Sequence, residues 1–265
     1  MRFTIVVMSC DKNEDLWQPF HYCMEKYWKD HPLIIYSTET KVNPYYDTIC
    51  RNYPIERWTR RLWDTIKCVD TPYVLLMCDD LFLRDYVCGP KIEKLCDYLN
   101  CGYVGFNLEK CFDKNDTPLN EEVMIRNING KYKTSVMCQM FKKEPLLDMA
   151  NLDLDPWAYE KLNNGKNYLF LVSKYGNLIN WGYAHNEQVW FGIRKGKWCK
   201  ECKDFFDKEG LYIDYSKRGF YEWECIYVQW QKMNTTTLTS GWNIILILVL
   251  TKYLFLIMMM WIVHT

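Results

Sequence analysis

Asp79 and Asp80 stand side by side immediately after a wholly apolar run, Tyr73–Cys78. Such a run suits a central parallel strand buried on both faces. Unpaired carboxylates are costly to bury, so two of them here point into the crevice at the strand's carboxyl end, where open α/β sheets bind ligands. Two carboxylates and two phosphates could hold Mg2+ or Mn2+, hard ions that take oxygen ligands. The ion would neutralise a departing diphosphate. The same pair also reads as a turn or helix cap before Leu81.

Other residues carry chemistry of compatible kinds. Ser9-Cys10-Asp11 ends the first β-rich run and could hold the base and ribose of a nucleotide, or simply turn the chain into a helix. In Pro156-Trp157-Ala158-Tyr159-Glu160, a proline at the helix start puts Glu160 one turn on, on the face of Pro156 and Trp157. A carboxyl beside large rings can have a raised pKa and serve as general base; an exposed helix glutamate is the alternative. His185 lies in a loop rich in Gly, Asn and rings, as a substrate contact or a structural histidine. Arg194, Lys195 and Lys197 could neutralise phosphate or form a solvated basic face. Cys199-x-x-Cys202 lacks the second pair a zinc site needs and the strand-to-helix setting of a redox dithiol.

The elements that must position these residues are legible in outline. Thr4–Ser9 reads as a strand, Asp15–Trp28 as a helix with apolar positions Leu16, Phe20, Cys23, Met24 and Tyr27, and Leu33–Tyr36 as a strand. A β-α-β opening favours a parallel sheet covered by helices. A second stripe, Trp58, Leu62, Ile66 and Val69, precedes Tyr73–Cys78. Pro90–Leu99, Glu144–Ala150 and Pro156–Lys161 read as helices; Tyr103–Phe106, Ser135–Phe141 and Leu169–Ser173 read as strands. Residues 107–135 read as one long polar loop.

Composition narrows the classes. Lys+Arg and Asp+Glu both number 33, which argues against a nucleic-acid binder working through bulk charge. Thirteen scattered cysteines suit buried thiols in a reducing compartment, not a disulfide scaffold. The apolar start is too short for a secretory leader. From Ile244 to Val263 only Thr251 and Lys252 interrupt an apolar run. As a helix it would span about 30 Å, the thickness of a bilayer core, at the cost of burying Lys252. The expected organisation is a catalytic domain over residues 1–233, a polar linker over 234–241 and a hydrophobic, membrane-associated helical tail over 242–265.

The order of several segments resembles a group of bacterial glycosyltransferases from capsular and surface-polysaccharide gene clusters. They are Thr4–Asn13, Trp58–Lys67, Asp70–Leu83, Lys133–Lys143 with its Gln139, Pro156–Glu160, Gly192–Trp198 and Tyr215–Phe220. The likeness covers roughly residues 3–222. It implies a GT-A-like (Rossmann-like) α/β fold, a mixed, mostly parallel sheet flanked by helices. It implies transfer of a sugar from a nucleotide-diphosphate donor, a UDP-sugar by expectation, to a surface-glycan or lipid-linked acceptor at the cytoplasmic face of a membrane. Asp79 and Asp80 would then bind metal and diphosphate, and Ser9 and Asp11 the nucleoside. Glu160 would act as base in an inverting displacement, Trp157, Gln139 and His185 would contact the substrate, and Arg194 and Lys195 would steady the phosphates. Two rivals stay open: a metal-dependent nucleotidyltransferase, and a membrane-tethered module that binds glycan or nucleotide sugar without catalysis.

Overall fold

Successive side chains of a strand point to opposite faces, and the first strand uses both. In β1 (Phe3–Met8), Phe3, Ile5 and Val7 join one apolar cluster, while Val6 and Met8 join another. A strand buried on both faces needs helices above and below it, which is the arrangement seen in the computed structural model. It describes residues 1–108, 114–130, 133–162, 168–174, 178–179, 192–221, 244–251 and 254–261, the last two ranges as backbone. The chain divides into two units, Met1–Tyr221 and Glu222–Thr265.

In the first unit, β1 leads through α1 (Glu14–Tyr27) to β2 (Ile34–Thr38) and β3 (Asp47–Cys50). Then come α2 (Trp58–Lys67), β4 (Tyr73–Cys78), α3 (Gly89–Asn100) and β5 (Gly105–Asn107). Short strands β6 (Thr117–Pro118) and β7 (Val123–Ile125) follow, so the segment expected as one polar loop contributes two strands. Next are β8 (Gln139–Lys142), α4 (Lys143–Ala150), α5 (Pro156–Lys161) and β9 (Phe170–Ser173). A small hairpin, β10 (Ile193–Arg194) and β11 (Lys197–Trp198), and α6 (Lys200–Glu209) complete it.

The nine-stranded sheet has the order β3-β2-β1-β4-β8-β5-β9-β7-β6. β8 and β7 run against their neighbours and the rest share one direction, so the sheet is mixed and mostly parallel, as expected. The α1, α3 and α6 side chains cover one face, and those of α2, α4 and α5 the other. The chain moves outward from β1 through β2 to β3, then returns to lay β4 on the opposite side of β1. That reversal opens a crevice at the carboxyl ends of β1 and β4. Their register pairs Met8 with Cys78, so Ser9 and Asp79 emerge side by side.

The second unit departs from expectation. Its apolar run is not a helix but two antiparallel strands, β12 (Ile244–Thr251) and β13 (Leu254–Trp261), paired from Thr251↔Leu254 to Ile244↔Trp261. β-Branched Ile, Val and Thr supply five of the eight residues of β12, which favours an extended backbone. Among the described residues no helix is long and apolar enough to cross a membrane.

Candidate active site at the carboxyl ends of β1 and β4

Ser9 and Asp79 meet directly. The Ser9 hydroxyl donates to Asp79 Oδ2 at 2.5 Å and accepts from Trp17 Nε1 at 2.9 Å. Asn13 Nδ2 donates to Asp79 Oδ1 at 2.9 Å. Asp79 is 1% exposed and both its oxygens are taken. Burial, and then the Asp80 charge, push its carboxyl up to about 7, against the pull of these hydrogen bonds. Asp79 thus braces the turn that leaves β1 through Ser9 and Asn13. Ser9 is likewise committed, a buried strut between α1 and β4 and not an open nucleoside contact. Among the described residues no three His, Cys, Asp or Glu side chains group to hold a metal ion.

Asp80 is differently placed. It is half-buried, and its carboxyl is raised to about 6 by burial, eased by its own backbone and by the Arg218 guanidinium. Its carbonyl accepts from Gly192 N–H at 3.1 Å, docking the β10–β11 hairpin onto the acidic turn. The approach requires glycine: a Cβ at Gly192 would lie 2.2 Å from the Phe82 ring and 2.9 Å from the Asp80 carbonyl. Trp198 stacks on Phe82 from the same hairpin, centroids 5.8 Å apart. Arg194 and Lys195 occupy the hairpin tip, where their cations sit 4.9 and 5.6 Å from the Tyr221 ring centre.

Glu160 reaches this region from α5. Asp155 caps that helix by accepting from Ala158 N–H at 2.7 Å. The Glu160 carboxylate accepts from Val136 N–H at 3.1 Å and the Ser135 hydroxyl at 3.4 Å, yet burial raises its pKa overall. After burial itself, the charges of Asp80, Asp79 and Glu160 raise the Cys78 thiol. The Val136 carbonyl accepts from the Cys78 thiol at 3.3 Å, so the residue that Glu160 holds also touches the end of β4. Cys138, with φ of 88°, holds a conformation rare for a non-glycine residue where the 133–138 segment enters β8.

The remaining expected residues separate. Trp157 is 62% exposed, an open ring three residues from Glu160 on α5. Gln139 is fully buried; its amide donates to the Lys133 carbonyl at 2.9 Å and accepts from Ser135 N–H at 2.6 Å. It touches no open surface and holds the segment whose Ser135 and Val136 grip Glu160. The Asp11 carboxylate accepts from the backbone N–H groups of Thr40 and Lys41 at 3.0–3.2 Å, tying the first turn to the loop after β2. His185 lies outside the described residues. Cys199 and Cys202 are buried, with thiols raised to about 11 and about 12 by burial, which leaves them poor redox nucleophiles.

Sequence reading overlooked Arg218. Its Nε and Nη2 donate to the two Asp15 oxygens, each at 2.7 Å, and Nη2 also reaches the Lys12 carbonyl and Asn13 Oδ1. The only local signal was an arginine within the Tyr215–Phe220 segment.

No protein-family model matches the chain, and no curated protein matches it in sequence. Solved structures resemble it distantly. One is S. aureus TarS 1–349, at 10% identity and a TM-score of 0.44, covering 65% of this chain and 57% of that one. The same fragment in complex with UDP-GlcNAc gives 10%, 0.39, 67% and 60%. The bifunctional IspDF from Campylobacter jejuni gives 11%, 0.37, 64% and 49%. The chain spans less than two thirds of the length of each.

Proposed function

We propose that the chain is a glycosyltransferase that moves a sugar from a nucleoside diphosphate to a hydroxyl of a surface-glycan or lipid-linked acceptor. The observation that carries this reading is that Asp79 and Asp80 follow β4 directly, while Glu160 holds Val136, whose carbonyl accepts from Cys78 at the end of that strand. Glu160 is the base. It takes the proton of the acceptor hydroxyl as that oxygen bonds to the anomeric carbon. The bond from that carbon to the phosphate oxygen breaks on the opposite side, and its electron pair leaves with the diphosphate, so the centre inverts. Asp80 faces the donor and accepts from its hydroxyl groups. Asp79 holds the turn through Ser9 and Asn13. The exposed Trp157 ring offers a stacking face to the acceptor. A lipid-linked acceptor would be met at the cytoplasmic face of a membrane.

The test is the thermal melt with UDP, GDP, CDP and TDP, each with and without Mn2+, followed by an assay of transfer from the matching nucleotide sugar. A ligand bound only by the folded state raises the melting temperature. One diphosphate should raise it, and turnover should release that diphosphate. A shift without turnover favours the binding module; pyrophosphate release from a nucleoside triphosphate and a sugar phosphate favours the nucleotidyltransferase. No shift with any of the four sinks the proposal.

A further inference from the structure

We propose that Arg218 is the diphosphate contact of this site, presenting its Nη1 edge to the donor; this rests on the nucleotide-sugar reading above. The guanidinium is fixed before any ligand arrives. Asp15 grips Nε and Nη2 in a two-pronged pair, and the Lys12 carbonyl and Asn13 side chain hold Nη2 from the turn after β1. Nη1 makes no hydrogen bond among the described residues. The fixed group stands at the crevice. Asn13, which accepts from Arg218, donates to Asp79, and the Arg218 charge is felt at Asp80.

Position and chemistry agree. Asp79, Asp80 and Glu160 make this end of the sheet acidic, and a diphosphate needs a cation to settle there. Asp79 is enclosed, its oxygens held by Ser9 and Asn13. A guanidinium supplies permanent charge, and with Nε and Nη2 engaged its Nη1 N–H groups are left to donate to a phosphate oxygen. Its backbone is equally fixed: Gly219 turns with φ of 61°, Gly219 N–H donates to the Tyr215 carbonyl at 2.9 Å, and Trp198 N–H donates to the Gly219 carbonyl at 3.0 Å. Because Asp15 already holds the side chain, little conformational freedom is lost when phosphate binds.

The experiment is calorimetric titration of the full chain and of Arg218→Gln and Arg218→Lys. The probes are the diphosphate that shifts the melt and its nucleoside without phosphate. Arg218→Gln should weaken the diphosphate about tenfold or more and leave the nucleoside unchanged. Arg218→Lys, which keeps a positive charge but loses the planar group that Asp15 holds in place, should fall between. Equal loss of both probes would mean that Arg218 only shapes the site, and unchanged diphosphate binding would remove it from the site; either result overturns the proposal. If Arg218→Gln does not fold, Arg218→Lys decides by the same comparison. Should the parent bind none of the four diphosphates, the nucleotide-sugar reading fails and this role with it. Parent binding that Arg218→Gln leaves intact rejects the Arg218 role alone.

Discussion

As the proposed base, Glu160 would work only when deprotonated, and burial raises its pKa above the usual 4.5. The acid limb of the transfer rate should therefore lie above the ordinary glutamate range, the rate climbing as pH rises through it. Glu160→Gln should cut turnover by about 10²–10⁴ and leave the diphosphate-induced melting shift intact. Asp79 makes a different prediction. Its carboxyl titrates at about 7 when folded, against 3.8 ordinarily, so the folded state holds the proton more tightly. That contribution is fully present below about 4 and is lost as pH rises through about 7. The melting temperature of the parent should fall over that window. Asp79→Asn has no proton to lose and should flatten the fall. It should also leave any Mn2+ response of the diphosphate shift as in the parent; loss of that response would make Asp79 a cation ligand.

The elements act as mounts, and one mount has no slack. Gly192→Ala should lower stability by about 1–3 kcal/mol, read as a lower urea midpoint, because one obstacle is the Asp80 backbone itself. At the far end of α6, Glu209 accepts from Tyr22, Tyr27 and Lys26 of α1. Glu209→Ala should lower the midpoint without changing the diphosphate-to-nucleoside preference, since that clasp lies outside the crevice. Elements with a one-sided or wholly apolar pattern were legible in the sequence. β4 and α5 fall where their punctuation places them, between Asp70-Thr71-Pro72 and Asp79-Asp80, and at Pro156. The edge strand β3 was not legible, because an exposed edge needs no apolar run and Asp47–Cys50 has none. β6 is likewise an exposed edge, whereas β7 is a short buried apolar run, Val123–Ile125, inside an otherwise polar stretch. The tail was read as a helix because length and apolarity suit a helix and a hairpin alike. In the site, acids at strand ends announce themselves. The enclosure of Ser9, Asp79 and Gln139 does not, because burial depends on partners brought from elsewhere in the chain.

At the scale of the molecule, the first unit carries both apolar clusters around its sheet. A chain ended at residue 232 should keep the near-ultraviolet signature and melting midpoint of that unit, and a lost transition would show that its stability depends on the remainder. The clamp on Arg218 also has a meaning in time. It joins Asp15 to a residue 203 positions later. A ribosome delivers the chain from its amino end, so Asp79, Asp80 and Glu160 emerge well before the arginine that completes their surroundings. At about 5–20 residues per second, the interval between Glu160 and Arg218 is roughly 3–12 seconds. A nascent chain in that interval carries its acids without their guanidinium, so the finished crevice is among the last parts of the unit to exist.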